Sequence, residues 1–365
     1  MTRVFVAPRR YVQGPNELRN FGEHVKRLGS RPFIIAIPDD FERVGESIVT
    51  SSIDAGITHT LGPFRGELTR EEARRLALEA QDANADVIVG LGGGKACDAA
   101  KAVADQLNLA NVIIPTVAST DAPCSSLAVF YSEAGVFESG DLLRNNPDLV
   151  LVDSQVIARA PTRFLVSGFG DALATYFEAR AAHSAGALNV VGGRSTLAAL
   201  AIARACIDTL LKQSAQAVAA SEANEVTEPL EDVIEANVLL SGLGFESGGL
   251  AAAHSIHNGL TSLDGTHHLL HGEKVAFGIV VQLTLESADS ELDEVLMYLD
   301  SVGLPTSLSA MGLEANRDTA RAIAEASMGP AETIHNMPMS IDLSGLTEAI
   351  LSADRQGVAR ARREY

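Results

Sequence analysis

The alternation of short apolar runs with helical stretches, over the first 160 or so residues, constrains the fold more than any other feature. Unbroken runs rich in β-branched residues occupy residues 33–37, 86–91, 111–115 and 149–153. Runs of this length without polar alternation are typical of strands that are covered on both faces. Helical patterns lie between them, for example over residues 69–84 and 97–108. This alternation predicts a parallel α/β sheet.

The chain changes character after Pro161. Long stretches rich in Ala, Leu and Glu, at 170–182, 195–220 and 229–243, predict helices, and strand-like runs almost disappear. We therefore expect an α/β domain over residues 1–161 and an all-α domain over residues 162–365. The length of 365 residues fits two domains of roughly 100–200 residues each.

Charge and composition exclude several classes of function. The formal net charge is −19, which opposes binding to nucleic acid. No apolar run approaches the roughly 18 residues that cross a bilayer, and the N-terminal residues lack the apolar core of a signal peptide. The cysteines, Cys97, Cys124 and Cys206, are an odd and widely spaced set, which is typical of reduced thiols. We expect a cytoplasmic protein without nucleic-acid or membrane partners.

A glycine-rich segment, Gly-Leu-Gly-Gly-Gly-Lys at 90–95, follows one predicted strand and precedes a predicted helix. Glycines let the backbone approach a ligand closely, and the N-terminus of a helix attracts phosphate. Lys95 would add a full positive charge. The segment matches neither Gly-x-Gly-x-x-Gly nor a P-loop, because Ala96 follows Lys95. A tight strand–helix turn is the alternative, but three consecutive glycines and a lysine favour phosphate binding.

Polar residues follow two other predicted strands. Asp39 and Asp40 come just after the first strand, where an acid can bond a ribose hydroxyl and repel a 2′-phosphate, which favours NAD over NADP. Residues 115–123 are rich in hydroxyl groups and contain Asp121. Loops after parallel strands commonly bind ligands. Ordinary turn chemistry would explain both segments equally well.

Histidines cluster between residues 254 and 271, namely His254, His257, His267, His268 and His271. His254 and His257 are three residues apart on a predicted helix and so share a face. Imidazoles commonly bind transition metals, and a carboxylate often completes the set. Asp171 is a candidate carboxylate, although a helix N-cap is the simpler interpretation of its position. The cluster favours a metal site, but spacing alone does not say which histidines bind.

Several segments together resemble the glycerol dehydrogenases of the iron-type alcohol dehydrogenase superfamily. These are Gly-Gly-Gly-Lys at 92–95, Ala-Ser-Thr-Asp-Ala-Pro-Cys-Ser at 118–125, Gly-Asp-Ala-Leu-Ala-Thr at 170–175, and the segments at 240–254, 271–278 and 332–338. The resemblance covers nearly the whole chain. It implies a dehydroquinate synthase-like fold, in which a dinucleotide-binding α/β domain precedes a helical metal-binding domain and the active site lies in the cleft between them.

The resemblance also implies cofactors and site residues. It implies zinc (Zn²⁺) held by Asp171, His254 and His271, which leaves His257, His267 and His268 in lining or supporting roles. It places Asp121 beside the substrate and makes Asp121 and His271 candidates for moving the proton. It implies NAD contacts from a larger set, namely Asp39, Gly93, Gly94, Lys95, Asp98, Thr116, Ser119, Ser125, Leu127 and Tyr131.

The activity implied is the NAD- and zinc-dependent oxidation of glycerol and related vicinal diols to dihydroxyacetone by metal-assisted hydride transfer. The resemblance also implies a homo-oligomer, an octamer in the family. The sequence leaves open the physiological diol, zinc against iron, the direction of flux, and Asp39 against Asp40 as the ribose ligand. Ala-Cys-Asp at 96–98 replaces the more usual Thr-Leu-Asp and removes a hydroxyl near the cofactor.

Two other functions remain as alternatives. A lyase like dehydroquinate synthase would need basic residues for a phosphate-bearing substrate, and the segments around Asp121 and His271 hold few besides Lys274. A protein of the same fold that binds metal or nucleotide without catalysis is the other alternative. Reduction of added NAD with any diol would discriminate against it.

Overall fold

The computed structural model describes residues 2–132 and 137–361. The chain forms two compact units, which we call the α/β unit (Ala7–Leu165 and Gln216–Gly242) and the helical unit (Met1–Val6, Val166–Ala215 and Leu243–Tyr365). The division into domains at 1–161 and 162–365 stays a prediction. The compact units differ from it mainly at 216–242, which group with the sheet.

The α/β unit is built on a six-stranded parallel sheet of order β1-β8-β5-β4-β2-β3. Its strands are β1 (Tyr11–Gly14), β2 (Pro32–Ala36), β3 (Thr60–Pro63), β4 (Val87–Gly92), β5 (Ala110–Pro115) and β8 (Leu149–Asp153). Two further strands, β6 (Leu127–Tyr131) and β7 (Phe137–Leu142), pair as an antiparallel hairpin. Every residue of β2, β4 and β8 is buried. The parallel sheet predicted from the four apolar runs is confirmed.

Strands β1 and β3 and the hairpin were not predicted from the sequence. β1 and β3 are the two edge strands of the sheet, each is four residues long, and neither carries a continuous apolar run. A strand covered on fewer sides needs fewer apolar residues, so its pattern resembles that of a loop. The hairpin alternates buried and partly exposed residues along β6, and β7 is mostly exposed.

Helices cover the sheet. They are α1 (Phe21–Val25), α2 (Pro38–Ala55), α3 (Arg70–Asp82), α4 (Gly94–Leu107), α5 (Ser154–Ala158) and α8 (Glu228–Glu235). Local chemistry sets several of their ends. The Thr69 hydroxyl accepts from the Glu72 amide at the start of α3, and the Asp153 carboxylate accepts from the Gln155 and Val156 amides at the start of α5.

The helical unit takes its residues from α6 (Thr162–Ala185), α7 (Leu197–Glu222), α9 (Ser241–Gly248), α10 (Ala252–Thr261), α11 (His271–Glu286), α12 (Asp289–Val302), α13 (Arg317–Ser327) and α14 (Leu343–Ala361). No strand occurs among residues 162–361, which agrees with the prediction that this part of the chain is helical. Val275 to Leu283 of α11 are buried on every side, so this helix forms the centre of the unit. Across the described helices, none has the length and apolar character to cross a membrane.

One predicted helix, at 229–243, is interrupted. Between α8 and α9 lies a single π-helical turn, Ala236–Leu240. Asn237 in this turn is buried, and its amide donates to the carbonyl oxygens of Ala118 (2.9 Å) and Leu165 (3.2 Å). A π turn contains one extra residue and is frequent at functional sites. Helical periodicity alone does not reveal such an insertion.

Candidate active site

The sheet brings the predicted nucleotide-binding segments to one edge. β4 pairs with β2 on one side and β5 on the other, with Leu91 opposite Ala36 and Gly92 opposite Pro115. The chain therefore leaves three neighbouring strands at the same edge, towards residues 37–40, 93–95 and 116–121. After β3 the chain returns across β2 to form β4, so the strand order reverses between β2 and β4. Ligands of open α/β sheets bind at such a reversal, outside the carboxyl ends of the strands.

The glycine segment forms a tight turn between β4 and α4. Gly92 has φ of +148°, which lies in the region that favours glycine, and its carbonyl accepts from the Thr116 amide (3.0 Å). Gly93 is the N-cap residue of α4 and has no side chain that could cap the helix. A Cβ placed on Gly94 would lie 3.3 Å from the Thr120 hydroxyl oxygen, so the two segments lie close together. The turn presents a helix N-terminus at the carboxyl edge of the sheet, as phosphate binding requires.

Lys95 projects from this turn. Its ammonium lies 2.6 Å from a Glu67 carboxylate oxygen and 5.0 Å from the centre of the Tyr131 ring. Tyr131 is at the end of β6, and burial, followed by the charges of Asp98 and Glu67, raises the pKa of its phenol. The fold thus places Lys95 and Tyr131, far apart in sequence, side by side.

Asp39 and Asp40 both lie in the first turn of α2, and their surroundings differ. Asp39 is exposed. Asp40 is partly buried and lies 2.6 Å from the Arg43 guanidinium, and one of its carboxylate oxygens would be 3.3 Å from a Cβ placed on Gly92. Asp40 is therefore the acid that lies against the glycine turn, while Asp39 faces solvent.

A buried lysine, which the sequence analysis missed, organises the rest of this edge. Lys101 on α4 is 1% exposed, and its ammonium lies 2.8 Å from the Asp98 carboxylate. It donates to the carbonyl oxygens of Ala122 (2.8 Å) and Leu127, and lies 3.4 Å from the Ser125 hydroxyl. Asp98 in turn accepts from the Val129 amide (3.0 Å). The pair therefore connects α4 to the segment that holds predicted NAD contacts Ser125 and Leu127.

Asp121 lies in the loop after β5 and is almost fully buried. Its carboxylate accepts a hydrogen bond from the Ser241 hydroxyl (2.8 Å), which follows the π turn. A Cβ placed on Gly242 would lie 2.8 Å from Cys124 Cβ and 3.1 Å from the Asp121 carbonyl oxygen. Residues 236–242 thus support the loop that carries Ser119 and Asp121. The hydroxyl-rich composition of that loop gave no indication of this distant partner.

The helical unit brings Asp171, His254 and His271 together. They come from α6, α10 and α11, and one ligand atom from each lies within 4.8 Å of the others. The Asp171 carboxylate is 3.0 Å from Nε2 of His271 and 3.3 Å from Nε2 of His254. The interpretation of Asp171 as an N-cap is wrong, because α6 begins at Thr162 and Asp171 lies well inside it. The helix predicted from residue 170 starts a full two turns earlier.

Close backbone packing positions two of these side chains. A Cβ on Gly170 would lie 2.1 Å from the Gly272 carbonyl oxygen, and one on Gly272 would lie 1.7 Å from the Ser167 carbonyl oxygen. No side chain fits at either position, so α6 and α11 contact each other through their backbones. Because Asp171 and His271 are the adjacent residues, this contact determines how closely they approach.

Charge interactions inside the cluster are strong. Burial alone would raise the pKa of Asp171, but His271 and His254 hold it well below its usual range. Burial would likewise lower the pKa of His254, but Glu178 and Asp171 hold it well above its usual value. Glu178, fully buried on α6, was not identified from the sequence. It lies seven residues after Asp171, two helical turns on the same face, which is the one pattern that could have revealed it.

The other clustered histidines have different positions. The rings of His257 and His271 are 4.1 Å apart, and Nδ1 of His257 lies 3.0 Å from the Asn258 amide oxygen. Burial, followed by the charge of His271, lowers the pKa of His257. His267 and His268 are exposed and precede α11, so His268 does not share a helix with His271.

The cluster fits a divalent transition metal. Two imidazole nitrogens and a carboxylate oxygen are donors that suit zinc and also ferrous iron. Asp171 is 1% exposed, and a bound cation would compensate the charge of a carboxylate buried this deeply. Among the residues described, this is the one group of histidine, cysteine and acidic side chains with such convergence.

Comparison with known proteins adds the wider context. A family model described as iron-containing alcohol dehydrogenase matches residues 8–154. The glycerol dehydrogenase of Citrobacter freundii is 45% identical over 361 residues, 98% of either chain. A glycolaldehyde reductase of Halobacterium salinarum is 45% identical over 359 residues, again 98% of both. The crystal structure of Schizosaccharomyces pombe glycerol dehydrogenase superposes with a TM-score of 0.96 at 37% identity, covering 99% of this chain and 93% of that one.

Proposed function

Because the chain belongs to the iron-containing alcohol dehydrogenase family, as its motifs predicted, we propose that it oxidises glycerol and related vicinal diols. The proposed hydride acceptor is NAD, the proposed metal is zinc, and the product from glycerol is dihydroxyacetone. The observation that carries the proposal is the convergence of Asp171, His254 and His271 in a chain of this family.

The metal assignment follows from the donors. Asp171, His254 and His271 would hold the ion, and three protein ligands leave a position for substrate. When bound, a divalent metal supplies Lewis-acid chemistry that makes a hydroxyl group easier to deprotonate. Hydride transfer moves two electrons together and needs no change in metal valence, which favours zinc. Iron would use the same kinds of donor.

The nucleotide assignment rests on the α/β unit. The N-terminus of α4, reached through Gly93 and Gly94, would bind the pyrophosphate, and Lys95 would add charge. Asp39, the proposed ribose ligand, or its neighbour Asp40 would bond the ribose hydroxyls and repel a 2′-phosphate, which favours NAD over NADP. The remaining contacts would come from Asp98 on α4 and from the segments after β5 and along β6, namely Thr116, Ser119, Ser125, Leu127 and Tyr131.

Asp121 and His271 are the proposed catalytic side chains besides the metal. Asp121 would bind a substrate hydroxyl, since its carboxylate accepts hydrogen bonds and Ser241 holds it in place from one side. His271 is about one-third exposed and would pass the proton to water. The resemblance places Asp121 beside the substrate, whereas the proposed part of Asp121 or His271 in moving the proton follows from the chemistry of the reaction.

The relatives support two substrates. Glycerol is favoured because relatives from Citrobacter freundii and Pseudomonas putida, each 45% identical, are named glycerol dehydrogenase. Reduction of glycolaldehyde is the second candidate, because an equally similar relative from Halobacterium salinarum is named for that activity. Glycerol and ethylene glycol, the product of glycolaldehyde reduction, are both vicinal diols. The same site chemistry would therefore serve either reaction.

The resemblance also supports an assembly and a location. We propose a homo-oligomer, of eight subunits by analogy with the family, in the cytoplasm. Its physiological substrate would be a small polyol. The formal net charge of −19 suits a protein that remains dispersed at high concentration.

The deciding experiment measures NADH formation from glycerol by protein stripped of metal with a chelator, before and after zinc is restored. We expect activity to disappear on stripping and to return with zinc, and NADP to be a poor substitute. Asp171→Asn should reduce turnover by more than about 100-fold. This loss exceeds the one that follows removal of a residue that only hydrogen-bonds to a metal ligand. NADH binding, followed by fluorescence, should remain.

Asp293→Asn is the matched control, because Asp293 is an exposed aspartate on α12. It should leave turnover unchanged. Full activity of the Asp171→Asn protein would refute the metal assignment. Metal-loaded protein that binds NADH and reduces glycolaldehyde, but does not oxidise glycerol, would favour the second candidate.

A further inference from the structure

The first turn of α10 carries His254, yet the sequence provides no cap for it. The N-cap residue is Ala251, whose methyl group accepts no hydrogen bond. Four backbone N–H groups at a helix start need acceptors from elsewhere. Two buried side chains supply them. Gln282 accepts from the Ala252 and Ala253 amides, both at 3.1 Å.

Glu178 supplies the other acceptor. One of its carboxylate oxygens accepts from the amides of Ala251 (2.9 Å) and His254 (3.1 Å). Its second oxygen lies 2.5 Å from Nδ1 of His254. Glu178 is fully buried on α6. One carboxylate thus contacts both the backbone and the ring of the same histidine.

The contact with the ring has a chemical consequence. An ionised carboxylate only accepts hydrogen bonds, so Nδ1 of His254 must carry the proton. In the neutral ring the other nitrogen, Nε2, then keeps its lone pair. Nε2 is the atom that lies 3.3 Å from the Asp171 carboxylate and belongs to the metal cluster. The geometry therefore selects the tautomer of His254 that can bind a metal.

The charges are also matched. A histidine that binds a metal is neutral, so in the metal-loaded site Asp171 and Glu178 would contribute two negative charges. A divalent cation would bring their sum to zero and would supply the compensation that buried charges require.

We propose that Glu178 is a positioning residue of the metal site, holding His254 in the ligating tautomer and orientation without binding the metal itself. The inference rests on the proposed function, because it assumes that the cluster binds a divalent metal. Mutation of a residue that hydrogen-bonds to a metal-binding histidine lowers metal affinity by roughly 10–100-fold.

The test substitutes Glu178→Gln, which keeps nearly the same shape. Its amide oxygen could still accept from the Ala251 and His254 amides, but its NH₂ group would then face Nδ1 of His254. Nδ1 would have to accept, the proton would move to Nε2, and metal binding would be opposed. Zinc affinity, measured by competition with a chromophoric chelator in the absence of substrate, should fall by roughly 10–100-fold.

Asp354→Asn is the matched control. Asp354 is another buried carboxylate of the helical unit, on α14, and accepts from the Leu308 amide (2.9 Å). Its substitution should lower thermal stability without changing zinc affinity. Equal loss of zinc affinity in both variants would overturn the specific role of Glu178, and so would unchanged affinity in Glu178→Gln.

A measurement on the unsubstituted protein covers the case in which Glu178→Gln does not fold. Histidine labelled with ¹⁵N, with His254 assigned from a His254→Ala spectrum, should show a protonated Nδ1 when zinc is bound. A protonated Nε2 would overturn the inference. Wild-type protein that binds no zinc would overturn the proposed function as well, whereas zinc binding with Glu178→Gln unaffected would overturn the role of Glu178 alone.

Discussion

At the scale of single residues, Lys101 shows how much can depend on one buried charge. Its ammonium lies against the Asp98 carboxylate and donates to carbonyl groups at Ala122 and Leu127. Ala122 begins a single 3-10 turn and Leu127 begins β6, so one ammonium group joins α4 to two separate elements. A buried amine with all its donors engaged is expensive to replace, because its partners lose their compensation.

We predict that Lys101→Met lowers the free energy of unfolding by about 3–5 kcal/mol, since it removes the cation that compensates the buried Asp98 carboxylate. NADH affinity should also fall by about tenfold or more, equivalent to about 1.4 kcal/mol, because the segment 122–127 loses its attachment. Denaturant unfolding and NADH fluorescence titration measure the two effects.

Two comparisons make this prediction specific. Lys26→Met removes an exposed lysine of the same unit and should change neither quantity. The double variant Lys101→Met/Asp98→Asn should recover part of the lost stability, because no unpaired charge remains. Wild-type NADH affinity in Lys101→Met would contradict the role of this contact in the nucleotide site.

At the scale of elements, the metal cluster depends on how closely α6 and α11 approach. Gly170 and Gly272 allow the two helices to contact each other through their backbones, directly beside Asp171 and His271. Glycine lowers helix stability by roughly 1 kcal/mol relative to alanine, so these two positions weaken their own helices. The two glycines allow α6 and α11 to lie closer together than any larger residue would permit.

We predict that Gly272→Ala lowers the free energy of unfolding by at least about 1–3 kcal/mol, since the new methyl group would overlap the Ser167 carbonyl. Zinc affinity should fall with it, because moving α11 separates His271 from Asp171. Gly345→Ala is the control. Gly345 is exposed on α14, and the atom nearest to a Cβ placed on it would be an Asp342 carboxylate oxygen at 3.2 Å.

The control should be neutral or slightly stabilising, as alanine favours the helix. Thermal unfolding and chelator competition on both variants check the prediction. An unchanged zinc affinity in a destabilised Gly272→Ala protein would mean that the helix contact supports the fold and not the site.

At the scale of the whole molecule, three carboxyl groups of the α/β unit link its stability to pH. Arg70 holds the pKa of Asp141 low. Burial raises the pKa of Glu72 and Asp86, but hydrogen bonds outweigh it, from Arg75 for Glu72 and from the Arg31 and Ser30 amides for Asp86. A carboxyl group with a lowered pKa stabilises the folded state above its unfolded pKa, near 4, and this stability is lost as the pH falls.

We predict that Asp86→Asn lowers the free energy of unfolding at pH 7 by about 1–2 kcal/mol, as expected for hydrogen bonds to a charged group. The difference from wild type should shrink as the pH falls from about 5 towards 2, because wild-type Asp86 becomes protonated and loses the same stabilisation. Denaturant unfolding across this range measures it. Asp54→Asn, at an exposed aspartate of α2, should show no such trend, and a difference independent of pH would contradict the prediction.

Much of the fold could be predicted from the sequence because it depends on neighbours along the chain. The runs that became β2, β4, β5 and β8 are buried on both faces, and such strands have unbroken apolar sequences. The glycine turn before α4 was equally clear, since helix starts and positive φ leave local marks. The edge strands were not predicted because exposed strands lack an unbroken apolar run. The π turn was not predicted because a single inserted residue leaves no mark in the helical pattern.

The succession of strands and helices, the glycine turn and a set of candidate metal ligands all follow from the sequence. Its motifs placed the chain in a family, but no local pattern chose His254 and His271 over their neighbours. Only the tertiary structure brought His271 to Asp171, 100 residues earlier in the chain, and put Glu178 behind His254. It also enclosed Lys101 among the carbonyl groups of another segment. The physical reason is that periodicity reports which face of an element is buried, whereas a site depends on which buried faces meet.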